Sequence, residues 1–196
     1  VGFFGIVANQ FLKLVFRVSR PWIRDPEFTI VEGARAGATG YSFPSGHTQN
    51  AAAVLGCPAR MARKKGLKIT LWVLYALVGI SRMYLGVHTP YDVGVGVVMG
   101  LVLVFGLYPF FSEKNYKPQR MYMLLAVMLA LSIAFTTYTR LYPFPADIEV
   151  DNLSHGIKNG YTLTGAVAGM LAAFWLDEHY VHFHTAGSLP AHIVQC

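Results

Sequence analysis

LKITLWVLYALVGISRMYLGVHTPYDVGVGVVMGLVLVFGLYPFF, residues 67–111, holds two apolar runs, 67–85 and 91–111, around a turn that carries Arg82, His88 and Asp92. Neither run alternates apolar with polar residues, as a membrane barrel strand would. Each approaches the ~20 apolar residues that cross a bilayer as a helix. Four further runs lie outward from this pair, at 1–19, 45–61, 121–138 and 161–176. The first is expected to stop at Arg20-Pro21, because proline disfavours helix in the residue before it. The expected fold is all-α, a multi-pass transmembrane bundle of about six helices, read as one membrane domain. The chain opens at Val1 inside an apolar run, so a piece lacking its N-terminal part is expected.

Composition excludes the alternatives. Hydrophobic residues make up 54% and charged residues 13%, with mean hydropathy +0.43. A soluble domain carries about 25% charge. Two cysteines, Cys57 and Cys196, cannot staple a secreted scaffold. The net charge of +6 is dispersed among apolar runs rather than striped along a face, so nucleic acid is not an expected partner.

Successive helices place the loops on alternate sides. Arg60, Arg63, Lys64, Lys65 and Lys68 fall on one side with Lys114, Lys117 and Arg120. Dense basic residues in short loops mark the cytoplasm. Residues 20–44, the turn at 82–90 and residues 139–160, with Asp147, Glu149 and Asp151, fall on the other. Lys and Arg number eight on either side, but net charge is +5 against +1.

Charged side chains at the ends of membrane helices are costly and point to function. Here they recur on the outer side alone. Lys13 and Arg20, seven residues apart, are expected on one helix face about 10 Å apart along the axis. Pro44-Ser45-Gly46-His47 opens the second helix, and Ser81-Arg82, His88 and Asp92 surround the turn from the third to the fourth. Three cations, two histidines and a Ser-Gly turn at a helix start describe an oxyanion site. The helix start has unpaired N–H groups and the positive end of a dipole. Gly46 lets backbone approach a ligand, Arg20 and Arg82 offer forked donors, and Lys13 a point charge. No acidic or Cys/His cluster accompanies them, so no metal is expected.

Lys13-x6-Arg20-Pro21, Pro44-Ser45-Gly46-His47 and Ser81-Arg82-x5-His88-x3-Asp92 together resemble the three-part signature of the type 2 phosphatidic acid phosphatase family, which includes glucose-6-phosphatases and vanadium haloperoxidases. The motif residues span 13–92 and match in order. The resemblance implies that residues 1–111 form the family's phosphatase core and that two more helices precede Val1; residues 112–196, read from their apolar runs as two additional helices and a tail, lie beyond that core and inherit nothing from it. It implies that His88 attacks phosphorus to form a phosphohistidine and that Asp92 orients His88. His47 would protonate the leaving oxygen and then activate water. Lys13, Arg20, Ser45, Gly46 and Arg82 would bind the phosphoryl oxygens, with no cofactor.

Blander readings stand beside these. Thr89-Pro90-Tyr91-Asp92 also suits an ordinary helix start, and Lys13 alone suits a snorkelling lysine. His179, His182, His184 and His192 match no zinc spacing and read as interfacial residues of a cytoplasmic tail. Trp22, Phe28, Tyr41 and Phe43, and the run Tyr142-Pro143-Phe144-Pro145, suit an interfacial belt or a guide for a lipid tail. The leading reading is an integral cell-membrane phosphatase acting on lipid phosphates or diphosphates, with its site on the extracytoplasmic face. A vanadium-dependent haloperoxidase and a silent membrane scaffold or transporter are the alternatives.

Overall fold

A computed structural model describes residues 1–108, 117–146 and 148–182. The end of the fourth apolar run, the expected boundary at 111/112, Lys114, Asp147, His184, His192 and Cys196 lie outside the described residues. Each of the six apolar runs holds a helix within those residues, and the fold is all-α, with no strand among them.

Helix α1 covers Gly2–Phe16 and stops four residues before the expected Arg20-Pro21 stop, at Arg17, which adopts a left-handed conformation (φ 48°, ψ 41°) and closes on the Lys13 carbonyl. Lys13 and Arg20 therefore do not share a helix face. Arg20 instead caps the short α2, Pro21–Arg24, in extended conformation with proline at its start. After α3, Glu32–Arg35, the chain enters α4, Gly46–Ala51. A π-helical turn, Ala52–Gly56, links it to α5, Cys57–Met61. Pro58 has no N–H to donate, and the Cys57 N–H reaches five residues back to Ala52, so the proline accounts for the widened turn.

Helices α6, Lys65–Tyr84, α7, Pro90–Leu107, and α8, Pro118–Leu141, are long and apolar enough to cross a membrane. Their outward faces fit that medium: α6 buries only Tyr75 and Gly79 and exposes Val73, Leu74, Leu77 and Ile80. Helix α9 covers Val150–Leu176, starting well before the expected residue 161. Polar residues 150–160 read as loop, yet Gly156 and Gly160 present a small-residue face to Leu14 of α1 and Thr136 of α8. A further π turn, Asp177–Val181, follows α9 and holds His179.

Helix α4 is the centre, packing on α1, α6 and α7. Its approach to α7 needs glycine. A Cβ at Gly96 would stand 2.8 Å from the Ser45 carbonyl oxygen, and one at Gly100 would stand 2.6 Å from the Ala52 Cβ. At the α6–α7 turn, Gly86 takes φ +72° against the backbone of Thr29 and Ile30, tying residues 28–31 to the turn. Helices α8 and α9 pack as a hairpin that closes on α1 through Leu14, Tyr41 and Phe135, with Ile148 and Leu153 around them.

Candidate active site

Each part of the sequence signature is placed by a local device. Ser45 caps α4: its Oγ accepts the Thr48 N–H at 3.5 Å and lies 2.9 Å from Thr48 Oγ1. The Gln49 N–H takes the Ser45 carbonyl. Gly46 and His47 N–H keep no protein acceptor among the described residues, as the first turn of a helix requires. Thr89 caps α7 in a full capping box. Asp92 N–H donates to Thr89 Oγ1 at 3.2 Å, and Thr89 N–H to Asp92 Oδ2 at 2.8 Å. Such a cap contributes about 1 kcal/mol, and here it also fixes the carboxylate.

The Asp92 Oδ2 atom additionally accepts the Ser42 hydroxyl at 2.7 Å and faces His88 Nδ1 at 3.6 Å. That separation is just beyond a hydrogen bond, and Nδ1 is buried with no closer partner. The other ring nitrogen, Nε2, lies 3.1 Å from Arg20 Nη1. An arginine only donates, so Nε2 presents its lone pair and Nδ1 carries the hydrogen towards Asp92. Burial, with Arg20 and Lys13 adding to it against the opposing pull of Asp92, lowers the His88 pKa to about 4. The ring is neutral at neutral pH.

Arg20 differs from its expected role. Its Nε donates to Gly40 O at 2.9 Å, Nη1 to Val87 O at 2.9 Å, and Nη2 to Thr39 O at 2.7 Å. With the His88 contact, four of the five guanidinium N–H groups are engaged. It clamps residues 39–40 to the α6–α7 turn and offers charge plus one free N–H rather than an open fork. Burial lowers its pKa to about 10, leaving it protonated at neutral pH. Among the described residues Arg82 holds only Ser81 Oγ, at 3.3 Å through Nε, so its terminal nitrogens form the available fork. Lys13 Nζ donates to the Tyr41 carbonyl.

Lys13, Arg20, Gly46, His47, Arg82 and His88 line one cavity of about 520 Å³. His47, Arg82 and His88 also border a second opening beneath residues 31–38. Ser45 and Asp92 stand behind this wall, fully or almost fully buried, and reach the cavity only through Gly46 and His88. Neutral His88 and half-open His47 in one cationic pocket can perform nucleophilic and acid–base chemistry on an oxyanion. Among the described residues no group of His, Cys, Asp or Glu side chains is arranged to hold a metal ion.

Sequence reasoning missed three supports. Asn9 is buried and donates to Pro44 O at 3.2 Å, fixing the corner before α4. Its signal was available: a polar residue one turn before Lys13 in an apolar helix. Ser42, whose hydroxyl meets Asp92 fifty residues on, gave none because a lone serine carries no spacing to a distant partner, and the carbonyls of Thr39, Gly40 and Tyr41 gave none because backbone acceptors carry no side-chain identity.

A family profile described as the PAP2 superfamily matches residues 1–116. The chain is 38% identical over 113 residues to phosphatidylglycerophosphatase B of Bacillus subtilis, 52% of this chain and 53% of that protein. It is 36% identical over 101 residues to lipid A 4'-phosphatase of Porphyromonas gingivalis, 50% of this chain and 42% of that protein. A third relative, undecaprenyl-diphosphatase of Bacillus subtilis, is 31% identical over 109 residues, 56% of this chain and 53% of that protein. The chain thus spans about half the length of these relatives. No solved structure gives a significant match. With a profile match over more than half of its residues, carrying all three signature parts, the chain belongs to the PAP2 superfamily.

Proposed function

We propose that this protein is a metal-independent membrane phosphatase that hydrolyses lipid phosphate or lipid diphosphate monoesters. The observation that carries the reading is His88, held neutral between Asp92 and Arg20 at the wall of a pocket shared with His47, Lys13 and Arg82. The relatives named as lipid phosphatases support the substrate class. Residues 1–111 form the working core, with α8 and α9 as an addition in the same membrane domain.

The reaction proceeds in two displacements. The phosphoryl group takes over the Arg20 Nη1–H that now rests on His88 Nε2, freeing the lone pair. Nε2 attacks phosphorus and the bond from phosphorus to the lipid oxygen breaks, with His47 donating a proton to that oxygen. Asp92 stabilises the positive charge left on the ring. His47 then takes a proton from water, the hydroxide oxygen attacks phosphorus, and the P–N bond returns its electron pair to Nε2. Lys13, Arg82 and the Gly46 N–H hold the oxygens, most strongly where charge develops in the transition state.

The pocket faces outward from the cytoplasm in this reading, since Arg60, Arg63, Lys64, Lys65 and Lys68 lie at the opposite helix ends. Phosphate release from a panel of lipid phosphates and diphosphates in detergent with EDTA tests the chemistry. Activity that EDTA abolishes and Mg²⁺ restores would refute it. In a cysteine-free background, Asn152→Cys should react with an impermeant thiol reagent on whole cells and Lys64→Cys should not. The reverse pattern would refute the sidedness.

A further inference from the structure

Below its cationic rim the cavity continues between α1, α4 and α6. Its wall descends from Lys13 through Gln10 to Ile6 on α1, and from His47 through Asn50 on α4 to Val54 on the π-helical turn that follows it. At 1.5 Å rise per residue, Gln10 and Asn50 each lie about 4.5 Å below the rim residue of their helix, and Ile6 and Val54 about 10 Å below. The antiparallel ladders agree in depth, so the two amides form one level between a charged rim and an apolar floor. Val54 is 70% exposed, so the floor opens sideways towards the surrounding medium.

These amides have no role in the fold. Asn9, adjacent to Gln10, is explained by its bond to Pro44. Gln10 and Asn50 carry no side-chain hydrogen bond to protein among the described residues, and both face the cavity. Gln10 is half-buried and Asn50 exposed, so both amides stay open to whatever fills the cavity. Both offer donors and acceptors but no charge.

We propose that Gln10 and Asn50 are specificity-determining residues that hydrogen-bond the ester or hydroxyl oxygens of the substrate's alcohol, so that the site prefers phosphates of oxygen-rich lipids to prenyl phosphates. This rests on the phosphatase reading above. In a glycerolipid phosphate the first ester carbonyl lies roughly 5 Å from phosphorus by ordinary bond lengths, the depth of the amide level. A prenyl phosphate places hydrocarbon there and strands both amides, and a site built to hydrogen-bond discriminates strongly against a ligand that cannot. The second phosphate of a prenyl diphosphate lies nearer the rim, with hydrocarbon again below it.

The test compares dioleoyl phosphatidic acid with geranylgeranyl phosphate in the same detergent micelles. The wild-type protein should favour the ester lipid in kcat/KM by about tenfold or more. Gln10→Leu and Asn50→Leu should each lower kcat/KM on the ester lipid by about fivefold or more, chiefly through KM. Their rates on the prenyl phosphate should stay within about twofold, and Asn50→Ser should recover part of the loss. Equal wild-type rates on both lipids, equal losses on both in the variants, or no loss at all would overturn the assignment while leaving the phosphatase reading intact. The wild-type comparison needs no variant and stands even if a leucine variant fails to fold. A folded wild-type protein that hydrolyses neither lipid overturns the phosphatase reading and this assignment with it.

Discussion

Replacing Asp92 by asparagine separates the charge of this residue from its geometry. Three neighbours meet one oxygen: Ser42 Oγ at 2.7 Å, Thr89 N–H at 2.8 Å and His88 Nδ1 at 3.6 Å. An asparagine with its carbonyl oxygen in that place still accepts from Ser42 and Thr89 and still faces His88, so the α7 cap and the ring orientation survive. The attraction to the positive ring that forms once Nε2 bonds to phosphorus is lost. Unit charges 3.6 Å apart attract by about 4.6 kcal/mol at an effective dielectric constant near 20. The amide dipole keeps part of this, leaving a loss of about 3 kcal/mol, or roughly 10²-fold in kcat. KM should stay within about threefold, because the missing interaction is one made in the transition state. Steady-state kinetics in detergent, with thermal unfolding in parallel, is the assay. An asparagine variant within threefold of wild-type kcat, or one whose loss tracks a fall in melting temperature, would refute the role given to the carboxylate. Asp92→Ala should by contrast unfold early, since it strands buried donors at about 1–3 kcal/mol each.

Arg20→Lys keeps a charge but cannot span the carbonyls of Thr39, Gly40 and Val87, so both thermal stability and kcat should fall, the latter by about 10²-fold in an initial-rate assay. His88 titrates at about 4, so the acid limb it sets in a kcat/KM profile should lie below pH 5 rather than near 6.5. The sign for stability is the same. The unfolded ring takes up a proton below about 6.5 while the folded ring stays neutral to about 4, so the His88 contribution, present above 6.5, is lost as pH falls across that window, as thermal unfolding against pH would show relative to His88→Gln. Gly96→Ala should cost about 1–3 kcal/mol and most of the activity by driving α7 off Ser45, whereas Gly94→Ala, whose Cβ meets nothing within 4 Å, should be neutral in both assays.

The parts legible in the sequence are those written in side chains at short spacing. Ser45 and Thr89-Pro90-Tyr91-Asp92 announced two helix starts through their own capping chemistry, and both are found in place. The apolar runs announced the helices, because burial in lipid demands an unbroken stretch. The failures have a common cause. Arg17 takes a left-handed conformation that its identity does not favour, so the end of α1 and the turn that swings Arg20 back onto residues 39–40 were invisible. The first turns of α9 looked like loop because their helix rests on Gly156 and Gly160 meeting Leu14 and Thr136, partners distant in sequence. Arg20 reads in the sequence as a phosphate ligand alone, because the carbonyls that occupy it leave no trace in a residue pattern.

Asp92 touches more than its own helix. Its carboxylate holds Ser42, and its backbone carbonyl accepts the Ser45 N–H at 3.0 Å. The corner that opens α4 and the corner that opens α7 are therefore a single mechanical joint made from two stretches of chain. For anyone grafting the pocket onto another scaffold, or splicing this chain with a relative, the signature parts are not interchangeable cassettes. A chimera that imports Pro44 to His47 without Ser42, or sets the crossover between them, would inherit every signature residue yet lack the pin that holds them in register.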